Sequence, residues 1–164
     1  MIRVGLGFDV HPFGGDGPLV LGGVVIDGPG LSGHSDADAV AHAVADALLG
    51  PVGLPDLGTL FPASDPGLRG ASSIGLLEEV ARRVVEEGWR VANVDVVVAA
   101  EAPRLGPWTE AMAANLSSAL APARADAADD DGVHVSVKPK RGEGLGFVGR
   151  SEGIAVWAVA LLER

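Results

Sequence analysis

Asp9 and His11 lie two residues apart in an apolar N-terminal segment, and along an extended strand side chains two apart share a face. One carboxylate oxygen and one imidazole nitrogen on a common face are two of the three protein ligands of a Zn²⁺-type site whose fourth position stays open to a substrate oxygen. His42 is the natural third. It falls in a helical stretch, four residues after Asp38 and four before Asp46, so a carboxylate of its own helix can accept the second ring N–H and fix the tautomer. Each residue alone also has an ordinary reading: an Asp-x-His pair is commonly incidental, and a helical His is commonly just hydrogen-bonded. With no cysteine, thiolate metal sites, disulfides and cysteine nucleophiles are excluded, and any tight metal rests on carboxylates and four histidines.

Three further segments carry chemistry-bearing residues. Ser32-Gly33-His34-Ser35-Asp36-Ala37-Asp38 places His34 and Ser35 at a helix N-terminus, where free N–H groups and the helix dipole favour an anion; an ordinary polar cap is the alternative. Asp56-Leu57-Gly58, continuing to Phe61-Pro62-Ala63-Ser64-Asp65, could bind hydroxyls, or could be a set of turns. Gly144-Leu145-Gly146-Phe147-Val148-Gly149 satisfies G-x-G-x-x-G, but no βαβ helix follows and too few residues remain for the acidic residue of a dinucleotide site. The segment is instead a glycine-rich turn flanked by Lys138, Lys140, Arg141, Glu143 and Arg150. Such a turn either cradles phosphate, with Glu143 on a Mg²⁺, or is a basic surface hairpin.

The elements that must position these residues follow from periodicity. Strands are expected at 2–11 and 19–26, separated by a turn over Pro12 to Pro18. A helix should start after Ser35, with Asp38 completing a capping box, and stop at Gly50-Pro51. Residues 51–71 read as a long irregular connection. Leu77, Val80, Ala81, Val84 and Val85 keep helical spacing within 72–88, a strand follows at 91–100 and a helix at 107–121, and 134–137 and 154–162 are further strands. The order β, β, α, α, β, α, β, β predicts a single α+β domain spanning 1–164, with helices on one face of a mixed sheet and an apolar face left for a partner. Both faces of 154–162 are apolar, as an obligate oligomer requires.

A formal charge of −10 opposes binding to nucleic acid or anionic membranes. No apolar run is long enough to cross a bilayer and no secretory signal pattern precedes the first strand, so the expected location is the cytoplasm. Asp126, Asp129, Asp130 and Asp131 crowd into what reads as a solvated loop rather than a cation cage.

GFDVHPFGGDGPLVLGGV, LSGHSDADAVAHAVADALLG, PDLGTLFPASDP, NVDVVVAAEAPRL and EGLGFVGRSEGIAVWAVALL, in this order and over almost the whole chain, resemble the 2-C-methyl-D-erythritol 2,4-cyclodiphosphate synthase family. The resemblance implies a homotrimer of chorismate-mutase-like subunits with active sites at the subunit interfaces. The implied reaction is cyclisation of 4-diphosphocytidyl-2-C-methyl-D-erythritol 2-phosphate with release of CMP, in the non-mevalonate isoprenoid route. It makes Asp9, His11 and His42 the Zn²⁺ ligands, within the substrate-contacting Asp9-Val10-His11, and His34 and Ser35 the phosphate- and methylerythritol-contacting loop, His34 touching the transition state. Asp56, Leu57, Gly58, Phe61, Pro62, Ala63, Ser64 and Asp65 would form the methylerythritol wall. Ala100, Glu101, Ala102, Pro103, Arg104, Leu105 and Gly106 would read cytosine through their backbone, Glu143 would hold a Mg²⁺ or Mn²⁺ between the α- and β-phosphates, and Phe147 and Arg150 would line the trimer's central cavity. The chain departs from the family where a run of threonines normally binds the diphosphate: Lys140-Arg141-Gly142 stands there, so Arg141 is expected to take over that contact as a catalytic cation. A noncatalytic metal- or nucleotide-binding trimer and a Zn²⁺-dependent phosphohydrolase are the alternatives.

Overall fold

The computed structural model describes residues 1–68, 70–124 and 132–164; the acidic cluster Asp126, Asp129, Asp130 and Asp131 lies outside the described residues. Five strands form one mixed sheet: β1 (Ile2–Leu21), β2 (Val24–Leu31), β3 (Arg90–Ala99), β4 (His134–Lys140) and β5 (Gly153–Glu163), in spatial order β2-β1-β5-β3-β4. Among the described strands, β3 and β4 pair in parallel and the other neighbours pair antiparallel. Three long helices, α1 (Ala39–Val52), α3 (Ser73–Glu86) and α4 (Thr109–Leu120), cover one face, and α2 (Leu57–Leu60) and α5 (Gly146–Gly149) are single turns. No helix among the described residues is long and apolar enough to cross a membrane.

Alternation decides which face each strand residue serves. On β5, Ile154, Val156, Ala158, Ala160 and Leu162 are buried beneath the helices, joined by Val94, Val96 and Val98 of β3. The opposite face is bare. Ile2, Val4, Leu6, Phe8 and Val10 of β1 and Trp157 and Val159 of β5 are 41–68% exposed, and Phe8 packs on Trp157 with ring centroids 5.2 Å apart. The expected layering, helices on one face and an apolar face uncovered, is therefore present in the chain.

On β1 the helix-facing residues are Gly5, Gly7, Asp9 and His11. Glycine is required at the first two because α1 lies almost on the strand: a Cβ on Gly5 would stand 1.9 Å from the Ala47 carbonyl oxygen, and one on Gly7 1.9 Å from that of Ala43. This approach brings His42, beside Ala43 on α1, down to Asp9 and His11.

Several boundaries differ from the sequence reading. Pro12 to Pro18 is not a turn, because β1 runs on through it, leaving β5 after Pro12 and pairing with β2 from Phe13. Register shifts on either side of Pro18 absorb the missing N–H, and the expected strand 19–26 is divided: residues 19–21 end β1, the chain reverses at Gly22-Gly23, both with positive φ, and β2 starts at Val24. Nor does Gly50-Pro51 stop α1. Pro51 sits in its last turn with its ring over Gly5, and Gly53, at φ +83°, ends the helix. The connection after it is less irregular than expected, since α2 and a turn of 3₁₀ helix at Pro66–Leu68 lie within it. The two chain ends lie side by side: the Met1 amino group donates to the Arg164 carbonyl at 2.6 Å, and Ile2 pairs with Glu163, at the end of β1 remote from Asp9 and His11.

Candidate functional site

The helix cap came out differently from the expected capping box. Asp38, not Ser35, is the N-cap of α1: its Oδ1 accepts from Val40 N and Ala41 N at 3.0 and 3.1 Å. The same fully buried carboxylate accepts Gly22 N at 2.8 Å and Gly23 N at 2.7 Å, tying the β1–β2 hairpin to the helix that carries His42. With both oxygens spent on backbone donors, Asp38 does not brace His42. Neither does Asp46, whose Oδ1 accepts Leu57 N at 2.8 Å and fixes α2 against α1.

The metal-ligand expectation is met in space. Asp9 Oδ2 lies 3.0 Å from His11 Nε2 and 3.1 Å from His42 Nδ1, and the two nitrogens are 3.4 Å apart. Ligand bonds of about 2.0–2.1 Å in a tetrahedron place donor atoms about 3.3 Å apart, so one oxygen and two nitrogens at these separations fit a Zn²⁺-like ion. All three residues are half-buried. Burial would raise the Asp9 carboxyl, but hydrogen bonds with His11 and His42 outweigh it and hold Asp9 well below the usual carboxylate range. Asp9 in turn raises the His11 imidazole against the opposing effect of burial. Such a crowd of acceptor and imidazole nitrogens is satisfied by protons on the rings or by one divalent cation. His11 Nδ1 donates to the Ser32 carbonyl at 2.8 Å, which orients the ring so that Nε2 faces Asp9.

Asp9, His11 and His42 open into a cavity of about 230 Å³, walled by His34, Ser35, Asp46, Leu57, Gly58, Phe61, Ala63, Leu68 and Leu76. The cavity thus brings together half of the predicted methylerythritol wall, Leu57, Gly58, Phe61 and Ala63. Asp56, Pro62, Ser64 and Asp65 do not line it. Asp56 caps α2 through Thr59 N at 2.9 Å, and Asp65 accepts Gly67 N at 2.8 Å while its carbonyl receives His34 Nε2 at 3.4 Å. Val10 points the other way, onto the bare sheet face, because it alternates with Asp9 and His11.

A second cavity, about 390 Å³, lies where the parallel strands β3 and β4 end together. It is lined by Ala100, Pro103, Arg104, Leu105, Gly106 and Pro107 from one loop and by Pro139, Lys140 and Arg141 from the other. The register Ala99–Lys140 and the bond from Ala100 N to the Lys140 carbonyl, 2.9 Å, align the two loops. Arg141 is paired with Glu101, whose second oxygen accepts Gly142 N at 3.0 Å. The guanidinium expected to face phosphate is thus bound to a carboxylate of the facing loop, and it lowers the Glu101 carboxyl. Glu143, Phe147 and Arg150 are exposed and line neither cavity; Arg150 pairs with Glu152 at 2.8 Å. Both cavities open at one end of the sheet, on opposite sides of β5, for Asp9 pairs with Val156 and Val156 with Val98. Within one chain they share no wall.

Sequence reasoning missed Asp36 and Ser73. Ser73, in the first turn of α3 and 1% exposed, lies 2.8 Å from His42 Nε2 and donates to Asp36. A serine pair opening a helix is the only sequence signal, and it reads as a cap, which Ser72 supplies.

Residues 2–163 match the model of the YgbB family. A bifunctional enzyme IspD/IspF of Anaeromyxobacter dehalogenans is 50% identical over 99% of this chain, which spans 40% of the length of that relative. A 2-C-methyl-D-erythritol 2,4-cyclodiphosphate synthase of Pectobacterium atrosepticum is 51% identical over 98% of this chain and 93% of its own length. Among solved structures, a CDP complex of IspF from Plasmodium falciparum superposes with a TM-score of 0.79 at 31% identity, covering 98% of this chain and 95% of that one. With the Asp-His-His cluster in the cavity and a family match over nearly its whole length, the chain belongs to the YgbB family.

Proposed function

We propose that the protein is a cyclodiphosphate synthase: it cyclises 4-diphosphocytidyl-2-C-methyl-D-erythritol 2-phosphate to 2-C-methyl-D-erythritol 2,4-cyclodiphosphate and releases CMP, as a cytoplasmic homotrimer acting as one domain over 1–164. The observation that carries this reading is the Asp9, His11 and His42 cluster, open to a cavity walled by His34, Ser35, Leu57, Gly58, Phe61 and Ala63, in a chain about half identical to proteins of that name. In the reaction an oxygen of the 2-phosphate bonds to the β-phosphorus, the bridging P–O bond breaks, and the bridging oxygen leaves with CMP. Nucleophile and leaving group belong to one molecule, so no protein nucleophile is needed. Catalysis consists of folding the substrate into reach and neutralising its charge.

Asp9, His11 and His42 would hold Zn²⁺, and Glu143 together with substrate phosphate oxygens would hold Mg²⁺ or Mn²⁺; when bound, these ions supply positive charge at the α- and β-phosphates. The chain's own residues do the rest. His34, tethered to the Asp65 carbonyl, and Ser35, at the turn before α1, face the reacting phosphates. Leu57, Gly58, Phe61 and Ala63 exclude water from the methylerythritol part, with Asp56, Pro62, Ser64 and Asp65 extending that wall at its rim. The cavity between residues 100–106 and 139–141 suits a flat cytosine ring read through backbone groups, and Arg141 reaches the diphosphate by exchanging Glu101 for it.

The two cavities are separate in one chain, and the bare apolar face of β1 and β5 is the surface through which trimer formation would join them. There the cytidine cavity of one subunit faces the metal cavity of the next, with Phe147 and Arg150 toward the central axis. Phosphorus NMR of the purified protein with the diphosphocytidyl substrate and Mg²⁺ tests the proposal. It predicts the paired resonances of a cyclic diphosphate together with CMP; a linear hydrolysis product, or unchanged substrate, would overturn it.

A further inference from the structure

His11 and His42 are oriented by different means. The Nδ1–H of His11 meets a backbone carbonyl, which no substitution removes. His42 instead leans on a chain of side chains that runs away from the metal cluster, and each link of that chain has only one direction open to it.

The chain starts at Asp36. Its Oδ2 accepts Ser73 N at 3.1 Å and its Oδ1 accepts Asp38 N at 3.3 Å, so both oxygens already serve as acceptors. Ser73 Oγ also contacts Oδ1, and as the only partner there with a hydroxyl proton it is the donor. Its single proton spent, the Ser73 oxygen can only accept. His42 Nε2, 2.8 Å from that oxygen, must therefore carry the ring proton. Ser35 Oγ accepts Ala37 N at 3.3 Å and lies 3.0 Å from Ser73 Oγ and 3.1 Å from His42 Nε2; with its own proton donated to Ser73 Oγ it too can only accept from Nε2, as a second and longer contact to that nitrogen. A neutral imidazole protonated at Nε2 keeps its lone pair at Nδ1, the nitrogen that faces Asp9 and His11.

We propose that Ser73 and Asp36 are positioning residues that fix His42 in its Nε2–H tautomer and thereby set how tightly the Asp9–His11–His42 site holds a divalent metal ion. The inference rests on the metal-site reading above. Outer partners of a ligating histidine typically govern metal affinity by 10–100-fold, and here the partner comes from another helix, 31 residues along the chain. The Asp36 carboxylate is itself placed by its backbone: Asp36 N donates to the Ala71 carbonyl at 3.2 Å, which pins the segment before α1 to the segment before α3.

The test is the dissociation constant for Zn²⁺, measured by competition with a chromogenic chelator on metal-stripped protein, with the visible spectrum of the Co²⁺-loaded protein as a report on ligand geometry. Ser73→Ala removes the acceptor, and about 10–100-fold weaker Zn²⁺ binding with altered Co²⁺ bands is expected. Asp36→Asn lets an amide N–H turn the Ser73 proton toward His42, which favours the wrong tautomer, so a loss of the same order is expected. Ser35→Ala removes only the longer contact to His42 Nε2 and leaves the Asp36–Ser73–His42 chain intact, so it should weaken Zn²⁺ binding less than Ser73→Ala does. Wild-type affinity and spectrum in both Ser73→Ala and Asp36→Asn would overturn the proposal. Should Ser73→Ala fail to fold, Asp36→Asn decides by the same criterion. A wild-type protein that binds neither Zn²⁺ nor Co²⁺ would instead refute the metal site itself.

Discussion

Replacing Gly7 with Ala adds one methyl group at the point where α1 touches β1. An ideal Cβ there would lie 1.9 Å from the Ala43 carbonyl oxygen and 2.7 Å from Ala47 N, whereas real Cβ contacts do not fall below 3.0 Å. Both obstacles are backbone atoms of a helix, so no side chain can rotate away. Strand and helix must separate by about 1.1 Å. Overpacking of this kind costs about 1–3 kcal/mol, which for a domain of this size lowers the melting temperature by several degrees. The same displacement acts on chemistry, since His42 is the residue of α1 next to Ala43. Its Nδ1, now 3.1 Å from Asp9 Oδ2, would move beyond 4 Å if the shift lay along that line, outside the roughly 3.3 Å edge of a tetrahedral site. Gly7→Ala should therefore lose stability and bound zinc together, and adding zinc should recover part of the melting temperature only at high concentration. Thermal unfolding alongside zinc analysis of the purified variant measures both. A Gly7→Ala protein with wild-type melting temperature and one zinc per subunit would refute the idea that close strand–helix approach assembles the site.

Two further outcomes are expected. Leu6→Asp places a charge amid the bare apolar face, where Leu6 is 68% exposed in the single chain, and should convert the proposed trimer to monomers by light scattering at micromolar concentration; a variant that still assembles like the wild type would show that this face is not the interface. Arg141→Ala should lower kcat/KM for cyclisation by roughly tenfold or more through the loss of one charge-assisted contact, whereas an unchanged kcat/KM would mean the guanidinium serves Glu101 alone.

Much of the site was legible because it follows local periodicities. The spacing of Asp9 and His11 along a strand put them on one face, and the structure keeps them there. The same alternation explains Gly5 and Gly7, whose small size could have been read as a helix lying close against the strand. What failed were readings that depend on partners distant in sequence. Pro12 and Pro18 look like turn formers, yet they stand where β1 leaves one neighbour and slips register against another, positions that need no donor there. Asp38 and Asp46, spaced to brace His42, are captured by the N–H groups of Gly22, Gly23 and Leu57, and a buried carboxylate takes backbone donors wherever the fold presents them. Ser73 fills the vacant role from another helix, which no local pattern announces. Glu101 and Arg141 meet only because β3 and β4 run parallel and end level with each other.

The adjacency of Met1 and Arg164 makes the polypeptide nearly a closed ring. A linker of a few residues could join its ends, and new ends opened in an exposed loop would give a circular permutant with the same strand pairing. Fusion follows the same logic: a domain appended at either end enters at the pole where Ile2 pairs with Glu163 and Arg3 stacks 4.4 Å over Trp89. Mechanical load from such a tether would fall on that stack and on the ends of β1 and β5, a strand's length from the histidines. The fold can thus be carried as cargo on a longer polypeptide without disturbing its chemistry.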